Sequence, residues 1–161
     1  MVKLTHVDAA GRARMVNVGS KPVTARTASA EGVIRMSDEA FRVIREEALP
    51  KGDVLAVSEI AGTLAAKRTA ELIPLCHPLG LDQVTVAASL EPELPGVRVR
   101  ASAKVTGRTG VEMEALTAVS VALLTVYDMV KAVDREMEIE QVHLLEKTGG
   151  TKGDWRRPAR A

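Results

Sequence analysis

Residues 81–105 read LDQVTVAASLEPELPGVRVRASAKV, and their alternation decides the fold. Val84, Val86 and Ala88 occupy every second position of the run from Leu81 to Leu90, and Val97, Val99, Ala101 and Ala103 do so between Val97 and Val105. A period of two puts these side chains on one face of a strand and the intervening ones on the other. Pro92, Pro95 and Gly96 break the pattern between the runs and predict a hairpin-like turn. A paired sheet with one apolar face needs a second layer, and the flanking sequence supplies helices.

Downstream, Leu116, Val119, Leu123, Val126, Val130 and Val133 recur at spacings of three and four, one stripe of a helix from about Val111 to Val133. Val121, Ala122 and Leu124 make the middle of that helix apolar on other faces, which points to a second subunit. Upstream, Ser37 is placed to cap a helix that Asp38 and Glu39 favour electrostatically and that runs to about Leu49, before Pro50. Asp53 caps another from Val54 to about Ile73, ended by Pro74 and Pro78. Its Ala56, Ala61, Gly62, Ala65, Ala66 and Ala70 leave little bulk, so another backbone is expected close by. Short strands are expected at Ala13 to Val18, within Thr24 to Met36, and from Glu138 to Leu145. The fold class is α+β: an antiparallel sheet with helices packed on one face.

A chain of 161 residues, 46% apolar, has the size of a single domain with a substantial core, here 1–161. Its ends read differently: a basic, partly mobile arm over about residues 1–30 and a flexible basic tail over about 148–161, with Arg156 to Ala161 expected to be disordered. The 22 basic residues nearly balance the 21 acidic ones, so no global field draws in a polyanion. With one Phe, one Tyr and one Trp the stacking platforms of nucleic-acid binders are missing as well, and no nucleic-acid partner is expected. The lone Cys and the absence of a basic-then-apolar start fit a cytoplasmic location. The longest strongly apolar stretch, Val119 to Val126, is far short of the roughly 20 residues of a membrane span, so no membrane is expected.

Three clusters carry chemistry. Leu75, Cys76 and His77 lie between Pro74 and Pro78 in a rigid link that reads either as a structural half-buried pair or as a substrate-binding loop. A metal site fails on counting, because His6, His77 and His143 with one Cys give no close ligand pair. Gly107-Arg108-Thr109-Gly110 leads into Glu112, Met113 and Glu114, where the exposed N–H groups of a helix start can hold an anion. The competing reading is that the two glutamates simply complement the helix dipole. Asp128 and Lys131 are neighbours on one face near the far end of the same helix, either a solvent ion pair or, among Val126, Met129, Val130 and Ala132, groups with shifted pKa values suited to proton transfer. Glu112 and Asp128 are separated by roughly 24 Å along a helix, too far for one compact ligand to touch both easily. Functional roles at both ends therefore imply sites shared between antiparallel chains.

The segments Pro74 to Leu79, Gly107 to Thr117 and Tyr127 to Ala132, with Thr5-His6-Val7-Asp8 near the start, together resemble the cyclic pyranopterin monophosphate synthase family, the molybdenum cofactor biosynthesis protein C family. The likeness runs over nearly the whole chain. It implies a ferredoxin-like subunit, a homohexamer built as a trimer of dimers, and active sites at the dimer interface. It also implies the reaction: 3′,8-cyclised dihydro-GTP, made by a radical S-adenosylmethionine partner enzyme, becomes cyclic pyranopterin monophosphate with release of diphosphate. By position, the resemblance makes Asp128 the acid/base residue and Lys51 and Lys131 its lysines. Leu75, Cys76, His77, Glu112, Met113 and Glu114 become substrate-binding, with Lys21, Arg26 and Lys147 for the triphosphate. No cofactor is implied, with Mg²⁺ an optional companion of the triphosphate. The alternative reading is a non-catalytic nucleotide-binding oligomer.

Overall fold

The computed structural model describes residues 7, 8 and 10–159. Thr5 and His6 of the N-terminal motif fall outside them. Five strands form one antiparallel sheet: β1 (Thr24–Arg35), β2 (Gln83–Glu91), β3 (Gly96–Gly107), β4 (Glu138–Thr148) and the short β5 (Trp155–Arg156), in the order β2-β3-β1-β4-β5. Helices α1 (Asp38–Arg45), α2 (Val54–Lys67) and α3 (Thr69–Leu72) separate β1 from β2, and α4 (Glu112–Val130) separates β3 from β4. This β-α-β-β-α-β path, with β1 central, is the ferredoxin-like arrangement. The expected hairpin is formed, and its inward residues pair across the strands: Val84 with Ala103, Val86 with Ala101, Ala88 with Val99.

The core is one cluster in which the inward rows of β1 (Ala28, Ala30, Ile34) and β3 (Val97, Val99, Ala101, Ala103, Val105) meet the buried stripe of α4. α4 lies over β1, β3 and β4, and α2 lies beside it over β2. Small residues set the approach. A Cβ on Gly62 of α2 would stand 2.8 Å from the carbonyl oxygen of Ala118 and 3.2 Å from Cβ of Ala122, so the close packing expected of α2 is made against α4. That contact also absorbs Ala122, part of the apolar surplus assigned above to a second subunit. What stays outside is Leu124 of α4 and a stripe on α2, Val57, Ile60 and Leu64. By length and composition α4 is apolar enough to cross a membrane, contrary to the sequence expectation. Its apolarity serves the core, since its buried residues face the sheet and α2.

Ser37 and Asp53 cap α1 and α2 as expected, accepting from the N–H groups of Ala40 and Ala56. Other boundaries differ for local reasons. α1 ends at Arg45, four residues early, because the chain turns at Glu47 with φ 51°. The long helix to Ile73 is interrupted at Arg68 and resumes as α3. No strand forms over 13–18, where an isolated bridge joins Val7 and Ala13. The arm expected to reach residue 30 gives way to β1 at Thr24, whose inward alanines need the sheet's centre. The tail is the largest correction. β4 runs to Thr148, Trp155 and Arg156 pair with Lys147 and Glu146, and the N–H of Arg157 donates to the carbonyl of Leu145 at 2.7 Å.

Candidate active site

The expected site residues fall into two groups at opposite ends of α4. At its N-terminal end a cavity of about 350 Å³ is lined by Lys21, Arg26, Leu75, Cys76, His77, Glu112, Met113, Glu114 and Lys147. β1 supplies Arg26, β4 supplies Lys147, the link before β2 supplies Cys76 and His77, and the first turn of α4 supplies the rest of the acidic side.

Arg26 is nine-tenths buried, an expensive place for a guanidinium unless its donors are used. Its Nε donates to the carbonyl of Gly107 at 3.0 Å, yet among the described residues its Nη2 has no partner. A buried, unsatisfied, permanently charged donor on a cavity wall is suited to an anionic ligand. The start of α4 has no side-chain cap, as an anion site requires, but the Glu112 carboxylate folds back over Gly110 and meets Nζ of Lys147 at 3.4 Å. Glu112 thus occupies the position an incoming anion would contest. Glu114 is buried, and that burial, reinforced by the nearby charge of Glu112, raises its carboxyl pKa. Burial, then the field of Glu114, pushes the Cys76 thiol up, which disfavours its thiolate form.

At the C-terminal end, Lys131 Nζ lies 2.6 Å from Asp128 Oδ1, and Lys51 Nζ lies 2.9 Å from the Asp128 carbonyl oxygen and 3.4 Å from Oδ2. Lys51 arrives on the tight turn between α1 and α2, where Gly52 takes φ 89°. All three side chains are at least half exposed. The apolar setting expected around Asp128 is therefore absent within one chain. Its pKa is lowered, first by the hydrogen bond and charge of Lys131 and then by Lys51, which keeps it a carboxylate. The turn after α4 is pinned: the Ser37 N–H donates to Asp134 Oδ2 at 2.8 Å and the Tyr127 hydroxyl to the Arg135 carbonyl at 3.1 Å.

Gly149, Gly150, Thr151 and Lys152 also line the cavity and were not singled out from the sequence as site residues. Their signal was the paired glycines after Lys147. Both take positive φ, and a Cβ on Gly150 would lie 2.2 Å from Nη1 of Arg26. A second depression, lined by Glu31, Arg100, His143 and Arg156 on the uncovered sheet face, holds none of the expected residues.

Residues 15–150 match the model of the MoaC family. Curated relatives named cyclic pyranopterin monophosphate synthase include one from Chloroflexus aurantiacus, 56% identical over 97% of this chain and 96% of the relative. One from Brucella ovis is 58% identical over 95% of this chain and 93% of the relative, and one from Methylobacterium nodulans is 61% identical over 95% and 96%. With a match over most of its length and relatives well above half identical, the chain belongs to the MoaC family.

Proposed function

We propose that this chain converts 3′,8-cyclised dihydro-GTP to cyclic pyranopterin monophosphate, releasing diphosphate, as a cyclic pyranopterin monophosphate synthase. Its family and the names of its relatives make it an enzyme of molybdenum cofactor biosynthesis, of the lyase type. One observation carries the substrate assignment: a buried guanidinium with an unused donor, Arg26, faces a cavity that also gathers Lys21 and Lys147. Cations gathered around one cavity match a triphosphate, and a guanidinium is well shaped for phosphate oxygens.

Closure of the cyclic phosphate forms one P–O bond from a sugar hydroxyl to the α-phosphorus and breaks the α–β anhydride. Diphosphate leaves with the electron pair, and the hydroxyl proton goes to a base. Asp128, held ionised by Lys131 and Lys51, is that base or its relay, while those lysines stabilise charge developing on phosphate oxygens. Glu114, whose burial raises its pKa and so favours its protonated form, is the complementary group for the ring rearrangement.

Both groups serve one substrate when two copies pair. Met113, Ser120, Leu124 and Lys131 fall within about 40° of one line along α4 at 100° per residue. That line joins the cavity, an exposed apolar side chain and the Asp128 cluster. Two α4 helices crossing antiparallel between Ser120 and Leu124, midway from Met113 to Lys131, lay the lysines and Asp128 of one protomer beside the cavity of the other. Assembly of such dimers into a hexamer, cytoplasmic placement and a radical S-adenosylmethionine cyclase as supplier of the substrate belong to the same reading. Mg²⁺ enters it as a companion of the triphosphate; among the described residues no group of three His, Cys, Asp or Glu side chains stands together.

The test is incubation with enzymatically prepared cyclised nucleotide, following diphosphate release and pterin fluorescence after oxidation. Both signals are expected. Tight binding with neither signal, from an intact oligomer, replaces the synthase by a non-catalytic nucleotide-binding protein.

A further inference from the structure

The Gly149–Lys152 turn forms one wall of the cavity, and glycine-rich backbone is the costliest kind to hold still. Gly149, Gly150 and Gly153 all take positive φ, and free in solution such a turn would sample many conformations. What fixes it comes from the chain beyond it. Asp154 Oδ1 accepts the Gly149 N–H at 2.9 Å, across the neck of the turn. Behind that bond, Trp155 and Arg156 pair with Lys147 and Glu146, and Arg157 donates from its backbone to Leu145 and from Nε to the carbonyl of Leu144. The strap is therefore tied on both sides of Lys147, the cavity's lysine. The turn it holds presses on Arg26, the residue whose Nη2 lacks a partner.

We propose that Asp154 is a positioning residue: with β5 behind it, it holds the Gly149–Lys152 turn over Arg26, so the tail beyond Gly153 sets affinity for the substrate's polyphosphate. The inference rests on the phosphate reading of the cavity given above. Its chemistry is pre-organisation. A turn ordered in the free protein spares the ligand the ordering cost at binding, so loss of the tie weakens binding and leaves the chemical step alone. Asp154 lies on the exposed tail and outside the core cluster, so its replacement leaves the fold standing.

The experiment compares wild-type full-length protein with Asp154→Ala and Asp154→Asn. Inorganic tripolyphosphate binding is measured by calorimetry, KM and kcat by turnover of the cyclised nucleotide, and tail order by the fluorescence anisotropy of Trp155, the single tryptophan. Asp154→Ala is expected to raise both the tripolyphosphate Kd and KM about tenfold, the worth of one hydrogen bond, with kcat within about twofold. Trp155 anisotropy falls in the same variant. Asp154→Asn, whose side-chain oxygen still accepts the Gly149 N–H, restores all three. An alanine variant that binds tripolyphosphate within about twofold of wild type overturns the strap, and so does one that loses kcat while KM holds. Wild-type protein that binds no tripolyphosphate overturns the phosphate reading instead, while the anisotropy still reports on the strap.

Discussion

At its C-terminal end α4 presents Asp128 to solvent between two lysines, whereas at its N-terminal end it buries Glu114 beside Cys76 and Glu112. The same functional group is pushed in opposite directions: pairing lowers the pKa of Asp128 and desolvation raises that of Glu114. One helix thus carries a carboxyl pushed down at one end and one pushed up at the other, roughly 21 Å apart over fourteen residues. The difference teaches that a straight helix holds its two carboxyls too far apart for one chain to bring them together, and the pairing of two copies proposed above is what would join them.

The strongest way to break that comparison is at Asp128. Asp128→Asn keeps the shape and one acceptor oxygen but removes the charge that Lys131 and Lys51 address, and turnover is expected to fall about 10²- to 10⁴-fold with melting temperature nearly unchanged. Wild-type turnover from a folded Asp128→Asn protein ends the assignment. The next largest effect tests whether the two ends meet across a subunit boundary. Asp128→Asn and His77→Ala proteins, each crippled alone, are mixed, dissociated and reassembled. Random pairing makes half of the dimers mixed, each with one intact site, so activity should recover to about a quarter of wild type. A mixture no more active than its components places both ends in the same chain's site.

A mid-helix change sharpens the comparison by asking how rigidly the ends are linked. Gly62→Ala puts a methyl group 2.8 Å from the Ala118 carbonyl oxygen, a backbone atom that cannot step aside. The gain in helix propensity, about 1 kcal/mol, is outweighed by overpacking, typically about 1–3 kcal/mol. A net loss of about 1 kcal/mol, read by denaturant unfolding, is expected, with both ends of α4 affected alike. A variant as stable as wild type would mean that α2 slides freely over α4.

Much of this arrangement was legible in the sequence, because it rests on local signals. The alternation at Val84 to Ala88 and Val97 to Ala103 sets the hairpin, Ser37 and Asp53 announce their caps, and the spacing from Glu112 to Asp128 separates the two halves of the site. What could not be read depends on distant partners. Whether Ala122 faces a second subunit or α2 is decided by Gly62, sixty residues away in sequence, and the tail becomes ordered through pairing with β4 that a Gly-rich composition hides. The polarity of the two carboxyls was half legible. Val126 and Met129 around Asp128 read as an apolar pocket, but in the fold they point into the core while Asp128 points out.

The smallest effect separates the two ends by sign alone. In the folded chain Asp128 has a lowered pKa, so its contribution to stability is present above its unfolded pKa and lost as pH falls through the folded one. Glu114 has a raised pKa, so the folded state holds that proton more tightly. Its contribution is present below the unfolded pKa and fades as pH rises through the folded one. Neutral replacements remove these dependences separately. Relative to wild type, Asp128→Asn should become more destabilising as pH rises through the acid range, weakly so because Asp128 is solvent-screened. Glu114→Gln should become less destabilising, or stabilising, over the range just above it. Unfolding midpoints from pH 3 to 8 measure both slopes. Slopes of the same sign would mean that the two carboxyls share one environment, and the division of labour along α4 would go with them.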